Sequence, residues 1–183
     1  MSYLKSLPAE TTLLQVFQAY PEPARHLLAF HELVLRGESP FTPGERELIA
    51  AYVSGLNSCD YCHGIHTVTA EAFGIPEGTL AAALADLESA PVDARLKPVL
   101  AYVGKLTRTP SKMTDADAEA VFAAGWDERA LHDAVLVCAL FNFMNRMVEG
   151  LGIRAAEGYT TTSGERLKNA GYAGLAELLD APA

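Results

Sequence analysis

Basic residues are scarce in this chain, with 14 lysines and arginines against 23 aspartates and glutamates and a formal net charge of -9 over 183 residues. That deficit argues against nucleic acids and anionic membranes as partners, since both call for a basic footprint. Long apolar runs are also missing. The longest stretch, Ala134 to Met144, is far too short to span a bilayer, and the opening Met1-Ser2-Tyr3-Leu4-Lys5-Ser6 lacks the apolar centre of a secretory signal. A cytoplasmic protein is expected. Cysteine occurs only three times, too rarely for a disulfide framework, so in a reducing compartment a close pair points to redox catalysis or metal binding. Runs of β-branched residues are few, and no segment reads as a strand.

What is present is helical. Half of the residues are hydrophobic, enough for one well-buried core and short for two, so a single domain over 1–183 is expected. Apolar residues return every three to four positions, punctuated by proline and glycine. This pattern predicts helices near 12–19, 23–36, 43–56, 59–73, 77–87, 93–107, 114–124, 127–151 and 164–179. Thr42, Pro43 and Glu45 form a capping box with proline at the first helical position. Ser58 is the expected cap of the helix that follows.

That helix carries the chemistry. Cys59 and Cys62 stand three residues apart, His63 and His66 follow closely, and Glu47 precedes Cys59 by twelve positions. At roughly 100° per residue the two cysteines and two histidines share one helical face, and His66 falls between the sulfurs. Two thiols so placed can close into a disulfide and reopen, while an imidazole and a carboxylate move the protons. If the helices of Glu47 and His66 form an antiparallel hairpin, the carboxylate meets the imidazole and completes a relay to Cys62. The helix terminus, in contrast, favours a thiolate at Cys59. A proton relay outweighs that field effect, so Cys62 is the expected nucleophile and Cys59 the resolving thiol.

The spacing Glu-x11-Cys-x2-Cys-x3-His, filled by Glu47, Cys59, Cys62 and His66, resembles the alkyl hydroperoxidase D-like proteins of the carboxymuconolactone decarboxylase superfamily. The stretch Ala50-Ala51-Tyr52-Val53-Ser54 looks like the peroxidase-related branch, and helix order over about 30–107 is compatible with the superfamily core. The resemblance implies an all-α helical bundle with the cysteine pair at a helix N-terminus. It also implies hydroperoxide reduction without a bound organic cofactor, an external dithiol as reductant, and a homo-oligomer, trimer or hexamer. In that family the second cysteine attacks, the first resolves, and the glutamate and histidine relay protons. One departure stands out: well-known members carry a histidine just before the second cysteine, where this chain has Tyr61. Either Tyr61 or His63 is the candidate substitute.

Zinc is a rival occupant of Cys59, Cys62, His63 and His66, but four ligands within eight residues of one helix cannot readily surround a tetrahedral ion. Cys138 lies in an apolar run and reads as a buried core thiol. His26, His31 and His132 carry no assigned role. Asn142, Asn145, Arg146 and Glu149 form a polar stripe that reads as a solvated face or an intersubunit contact, with a pocket-lining or reductant-docking role as the alternative. A fold-sharing decarboxylase or lactone-processing enzyme, and a redox-sensing or interaction protein, are the competing functions.

Overall fold

The computed structural model describes residues 2–156 and 158–180, and these are helical apart from their connections. Among the described residues nine α-helices follow in order: α1 Leu13–Ala19, α2 Pro21–Arg36, α3 Pro43–Leu56, α4 Asp60–Ala72, α5 Thr79–Ala85, α6 Leu96–Arg108, α7 Asp115–Ala123, α8 Glu128–Gly150 and α9 Tyr159–Glu177. Short 3-10 turns occur at Pro110–Lys112 and Leu178–Asp180.

Helix starts follow the side chains that can satisfy free backbone donors. Thr12 with Gln15 and Thr42 with Glu45 form reciprocal capping boxes, and Asp127 accepts from the Ala130 amide. Several expected boundaries move; α5 and α6, for example, start at Thr79 and Leu96 rather than at 77 and 93. Helix α2 begins at Pro21 rather than 23, because prolines tolerate a first turn whose amides have no partner. Helix α9 begins at Tyr159, well before 164, and is broken at Gly171, whose φ is 63°. The break is held by Glu32, whose Oε2 accepts from the Tyr172 and Ala173 amides at 2.8 and 3.1 Å.

Helix α3 is the centre of the molecule. Every residue from Arg46 to Ser54 is buried, which goes beyond the single apolar face expected from periodicity. Helices α2, α4, α5, α6 and α8 pack around it, and α9 covers α4 and α2. Helices α3 and α4 form an antiparallel hairpin: Cys59 N donates to Ser54 O, the His63 ring meets Ala51 O, and His66 meets Glu47.

The turn between them departs from expectation. Ser58 does not cap α4; it sits in the left-handed region at φ 55°, and its amide donates to Gly55 O at 3.0 Å. A cap needs extended backbone. The position passes to Cys59, which makes no side-chain capping bond. Close approach of α4 and α9 depends on glycine: a Cβ on Gly164 would lie 2.6 Å from Val68 Cγ1, and one on Gly64 would lie 2.9 Å from Thr160 Cγ2. Among the described residues, no helix is long and apolar enough to cross a membrane.

Candidate active site

The hairpin sets the two thiols at the start of α4, Cys59 at the N-cap and Cys62 at the third helical position. Both are free and buried. Their sulfurs interact directly: the hydrogen bond from Cys62 pulls the Cys59 thiol down, while that same bond and burial push Cys62 well up. Cys59 is therefore the more acidic thiol before reaction, as the helix terminus predicts. Position separates them in the other direction. Cys62 faces a cavity of about 70 Å³, and Cys59 lies behind it, outside the cavity wall.

His66 lines the same cavity, one turn beyond Cys62. Its Nδ1 lies 2.6 Å from Glu47 Oε2, so Nδ1–H donates to the carboxylate and Nε2 is left as the basic atom. The ring stands edge-on to Phe141 with centroids 4.5 Å apart, which fixes its plane. Glu47 is fully buried, and burial alone would raise its pKa; the facing His66 and Arg36 outweigh that and hold it below the usual carboxylate range. Arg36 Nη2 is 2.7 Å from Glu47 Oε1, and the Tyr172 hydroxyl donates to the same oxygen at 3.4 Å.

The two candidates for the missing histidine part company. His63 Nδ1 donates to Ala51 O at 2.9 Å, directing the ring back along α3 and away from the cavity. The expectation of one shared face thus fails for His63, because a buried carbonyl on the facing helix captures its ring. Tyr61 does line the cavity. Its hydroxyl accepts from the Leu13 amide at 3.3 Å and donates to the Tyr159 hydroxyl at 3.0 Å. Burial, then Tyr159, raise its pKa far above the ordinary phenol value, so it remains protonated.

Several site residues were invisible in the sequence pattern. His31, given no role, is buried on the cavity wall; burial lowers its pKa to about 4, and its Nδ1 donates to Leu27 O at 2.7 Å. Tyr159, Ser163, Arg166 and Tyr172 reach the cavity from α9, nearly a hundred residues from the cysteines, and Ser163 Oγ has no hydrogen-bond partner among the described residues. Leu13, Leu14, Phe17, Leu28 and Leu175 make the rest of the wall apolar.

The polar stripe on α8 runs from buried Asn145 through half-buried Asn142 and Glu149 to exposed Arg146. Asn145 is buried, donates to Ser54 Oγ at 3.0 Å and accepts from Asn57 Nδ2 at 2.9 Å. It also bonds Cys62, pulling that thiol down against the larger effects of Cys59 and burial. Glu149 pairs with Arg154 at 2.9 Å and faces Cys59, opposing ionisation there. Only Arg146 is exposed, folded onto Asn142 at 2.7 Å. Cys138 is buried elsewhere, against Thr107 at 3.3 Å, and burial raises its pKa. Among the described residues, no group of three or more histidine, cysteine, aspartate or glutamate side chains is arranged to hold a metal ion.

Residues 21–103 match the Carboxymuconolactone decarboxylase family. Similar solved structures include an uncharacterized peroxidase-related protein from Silicibacter sp. TM1040, 26% identical with a TM-score of 0.75, covering 81% of this chain and 78% of that one. Another is an alkylhydroperoxidase AhpD core, an uncharacterized peroxidase-related protein from Ralstonia eutropha JMP134, 23% identical with a TM-score of 0.74 and the same coverages of 81% and 78%. No curated protein sequence matches the chain. Residues 21–103, just under half of the chain, thus resemble the carboxymuconolactone decarboxylase family, and the chain shares the alkyl hydroperoxidase D-like fold of these structures.

Proposed function

We propose that the protein is a thiol-dependent hydroperoxide reductase that cycles Cys59 and Cys62 between dithiol and disulfide. One observation carries the reading: Cys62 opens onto a largely apolar cavity beside a histidine fixed by a buried carboxylate, with a second thiol in contact behind it. A peroxide in the cavity meets Cys62 first. This position decides the order of attack although Cys59 is the more acidic thiol at rest, because a thiolate that cannot reach substrate does no chemistry.

In the cycle, His66 Nε2 takes the Cys62 proton, and Glu47 stabilises the resulting imidazolium through Nδ1. The Cys62 sulfur attacks the terminal peroxide oxygen, forming a sulfenic acid and releasing an alcohol or water. Cys59 then attacks the Cys62 sulfur, expelling water and closing the disulfide. An external dithiol reopens it. A reducing compartment, a homo-oligomeric assembly and the absence of a resident organic cofactor belong to the same reading.

The experiment follows hydroperoxide loss with a supplied dithiol while free thiols are counted in wild type, Cys59→Ser and Cys62→Ser. Loss of turnover in Cys62→Ser, with one stoichiometric turnover left in Cys59→Ser, is the expected result. Full consumption by Cys62→Ser would sink the reading and favour the decarboxylase or lactone-processing chemistry of the wider family. Oxidation that alters oligomer size without consuming peroxide would favour a redox sensor.

A further inference from the structure

Reduction of a hydroperoxide has two proton requirements, and the Glu47–His66 pair meets only the first. Removing the Cys62 proton creates the nucleophile, but breaking the O–O bond releases an alkoxide, a strong base that leaves slowly from an apolar cavity unless it is protonated as it departs. That donor must lie on the cavity wall.

Most polar groups on the wall are unsuited. His31 has its Nδ1–H committed to Leu27 O and stays neutral, with a pKa near 4. The Tyr172 proton is given to Glu47. Arg166 holds its protons too tightly to act as an acid. Ser163 has a free hydroxyl, but an aliphatic alcohol is about as weak an acid as the product alcohol, so it can orient the substrate without driving proton transfer. His66 could return the proton it has just taken, and it is the one rival.

The Tyr61–Tyr159 pair differs from all of these in its direction. Tyr61 is almost wholly buried, and its oxygen already accepts the Leu13 amide proton at 3.3 Å. Its single hydrogen therefore goes to the Tyr159 oxygen, 3.0 Å away. Tyr159 accepts that bond, leaving its own proton uncommitted among the described residues. Hydrogen bonds in a chain polarise one another, so the run from Leu13 N–H through Tyr61 to Tyr159 ends in an uncommitted hydroxyl donor on the cavity wall. The rings are held with centroids 5.6 Å apart, and Tyr159, being only half-buried, can be reprotonated from solvent.

We propose that Tyr159 is the catalytic general acid that protonates the departing alkoxide, and that Tyr61 is the positioning residue that aims and polarises it. The proposal rests on the hydroperoxide-reductase reading and adds a residue to it. In the step, the Cys62 thiolate forms the S–O bond, the O–O bond breaks, and its electron pair leaves on the alkoxide oxygen. Tyr159 O–H supplies the proton, giving alcohol, sulfenic acid and a tyrosinate. The proton that Cys62 gave to His66 restores the balance through solvent. The net change is thiol plus hydroperoxide to sulfenic acid plus alcohol.

The test compares kcat/KM for tert-butyl hydroperoxide and for peracetic acid in wild type, Tyr159→Phe, Tyr61→Phe and His66→Ala. Peracetic acid releases acetate, which leaves without being protonated. Tyr159→Phe is expected to lose about a hundredfold on the alkyl hydroperoxide and little on the peracid, with the Cys62 alkylation rate by iodoacetamide unchanged. Tyr61→Phe shows the same substrate pattern at smaller size. An equal loss on both substrates, or no loss on either, overturns the proposal. So does a substrate-selective loss confined to His66→Ala, which assigns the proton to His66. A wild type inactive on both peroxides overturns the reductase reading and this step with it, whereas an active wild type with an unaltered Tyr159→Phe overturns this step alone.

Discussion

Arg36 Nη2 lies 2.7 Å from Glu47 Oε1, so the carboxylate that orients His66 is already matched by a guanidinium from α2. Glu47 bridges a guanidinium and an imidazole across three helices. Arg36 is itself fixed by the Leu35 and Leu167 carbonyls at 3.0 and 3.2 Å and lies over the Phe73 and Tyr172 rings. Arg36→Met keeps most of the packing and removes the charge. The expected cost is about 3 kcal/mol, at the lower end for breaking a buried pair because His66 and Tyr172 still face the carboxylate. Glu47 is depressed in the folded state, so its stabilisation is full above the ordinary value of 4.5 and fades as pH falls through the lower folded value. Without Arg36 that depression shrinks, and acid unfolding should begin at higher pH. Urea midpoints across pH 3 to 7 measure both effects; unchanged midpoints would show that the pair contributes nothing.

His31 gives a pH effect of a different kind. Its folded pKa, near 4 rather than 6.5, is lowered by burial and slightly by His66, with the Leu27 carbonyl and Glu47 opposing. The unfolded chain therefore takes up a proton between these values while the folded protein does not, so stability falls as pH drops from 6.5 toward 4. That gap is worth about 3 kcal/mol at roughly 1.4 kcal/mol per pH unit. His31→Gln, which keeps a donor for Leu27 O, should flatten the slope in this window. Equal slopes in wild type and variant would mean that His31 is protonated in the fold.

The motif residues were legible because the hairpin that joins them is local. Glu47 and His66 are nineteen positions apart, and helical geometry with a short turn is enough to bring them together. The capping box at Thr42 and the all-helical architecture were legible for the same reason. Ser58 was misread because a tight turn needed a left-handed residue more than α4 needed an oxygen cap. His63 was misread because angular position on one helix cannot reveal a carbonyl on the next, here Ala51 O. Arg36, His31 and Tyr159 could not be found from spacing at all. Their contacts depend on how α2 and α9 cross the hairpin, and a lone arginine, histidine or tyrosine at a helix position carries no periodic signal.

Asn145 joins the α8 helix to the reactive turn. Its amide donates to Ser54 Oγ, its oxygen accepts from Asn57, and it bonds Cys62. Asn145→Leu fills the volume but leaves the Asn57 amide short of one acceptor and takes a hydrogen bond from Ser54 and from Cys62. The expected loss is about 1 to 3 kcal/mol. The Cys62 thiol should also become harder to ionise, since the Asn145 bond is what pulls it down. Iodoacetamide alkylation of a Cys59→Ser background, followed against pH, reads the second effect separately from stability. A Cys62 profile unmoved by the substitution would remove Asn145 from the site.

Helices α4 and α9 can meet closely only because Gly164 has no side chain. A Cβ there would stand 2.6 Å from Val68 Cγ1 and 3.1 Å from the Ile65 carbonyl oxygen. Val68 has little freedom to turn aside, since a β-branched side chain in a helix keeps one strongly preferred rotamer, and the carbonyl belongs to the helix itself. Gly164→Ala must therefore separate the helices, at an expected cost of about 1 to 3 kcal/mol despite the better helix propensity of alanine. For a chain of this size each kcal/mol lowers Tm by roughly 2 to 4 °C. Separation also draws Tyr159 away from Tyr61, so turnover of alkyl hydroperoxides should fall more than alkylation of Cys62. Adding Val68→Gly removes both side-chain atoms in the way, Cγ1 at 2.6 Å and Cβ at 2.7 Å, and the double variant should lose less than the two single losses added together, a coupling that independent sites would not show. A Tm unaffected by Gly164→Ala would mean that the two helices have room to spare and that glycine is not what sets their distance.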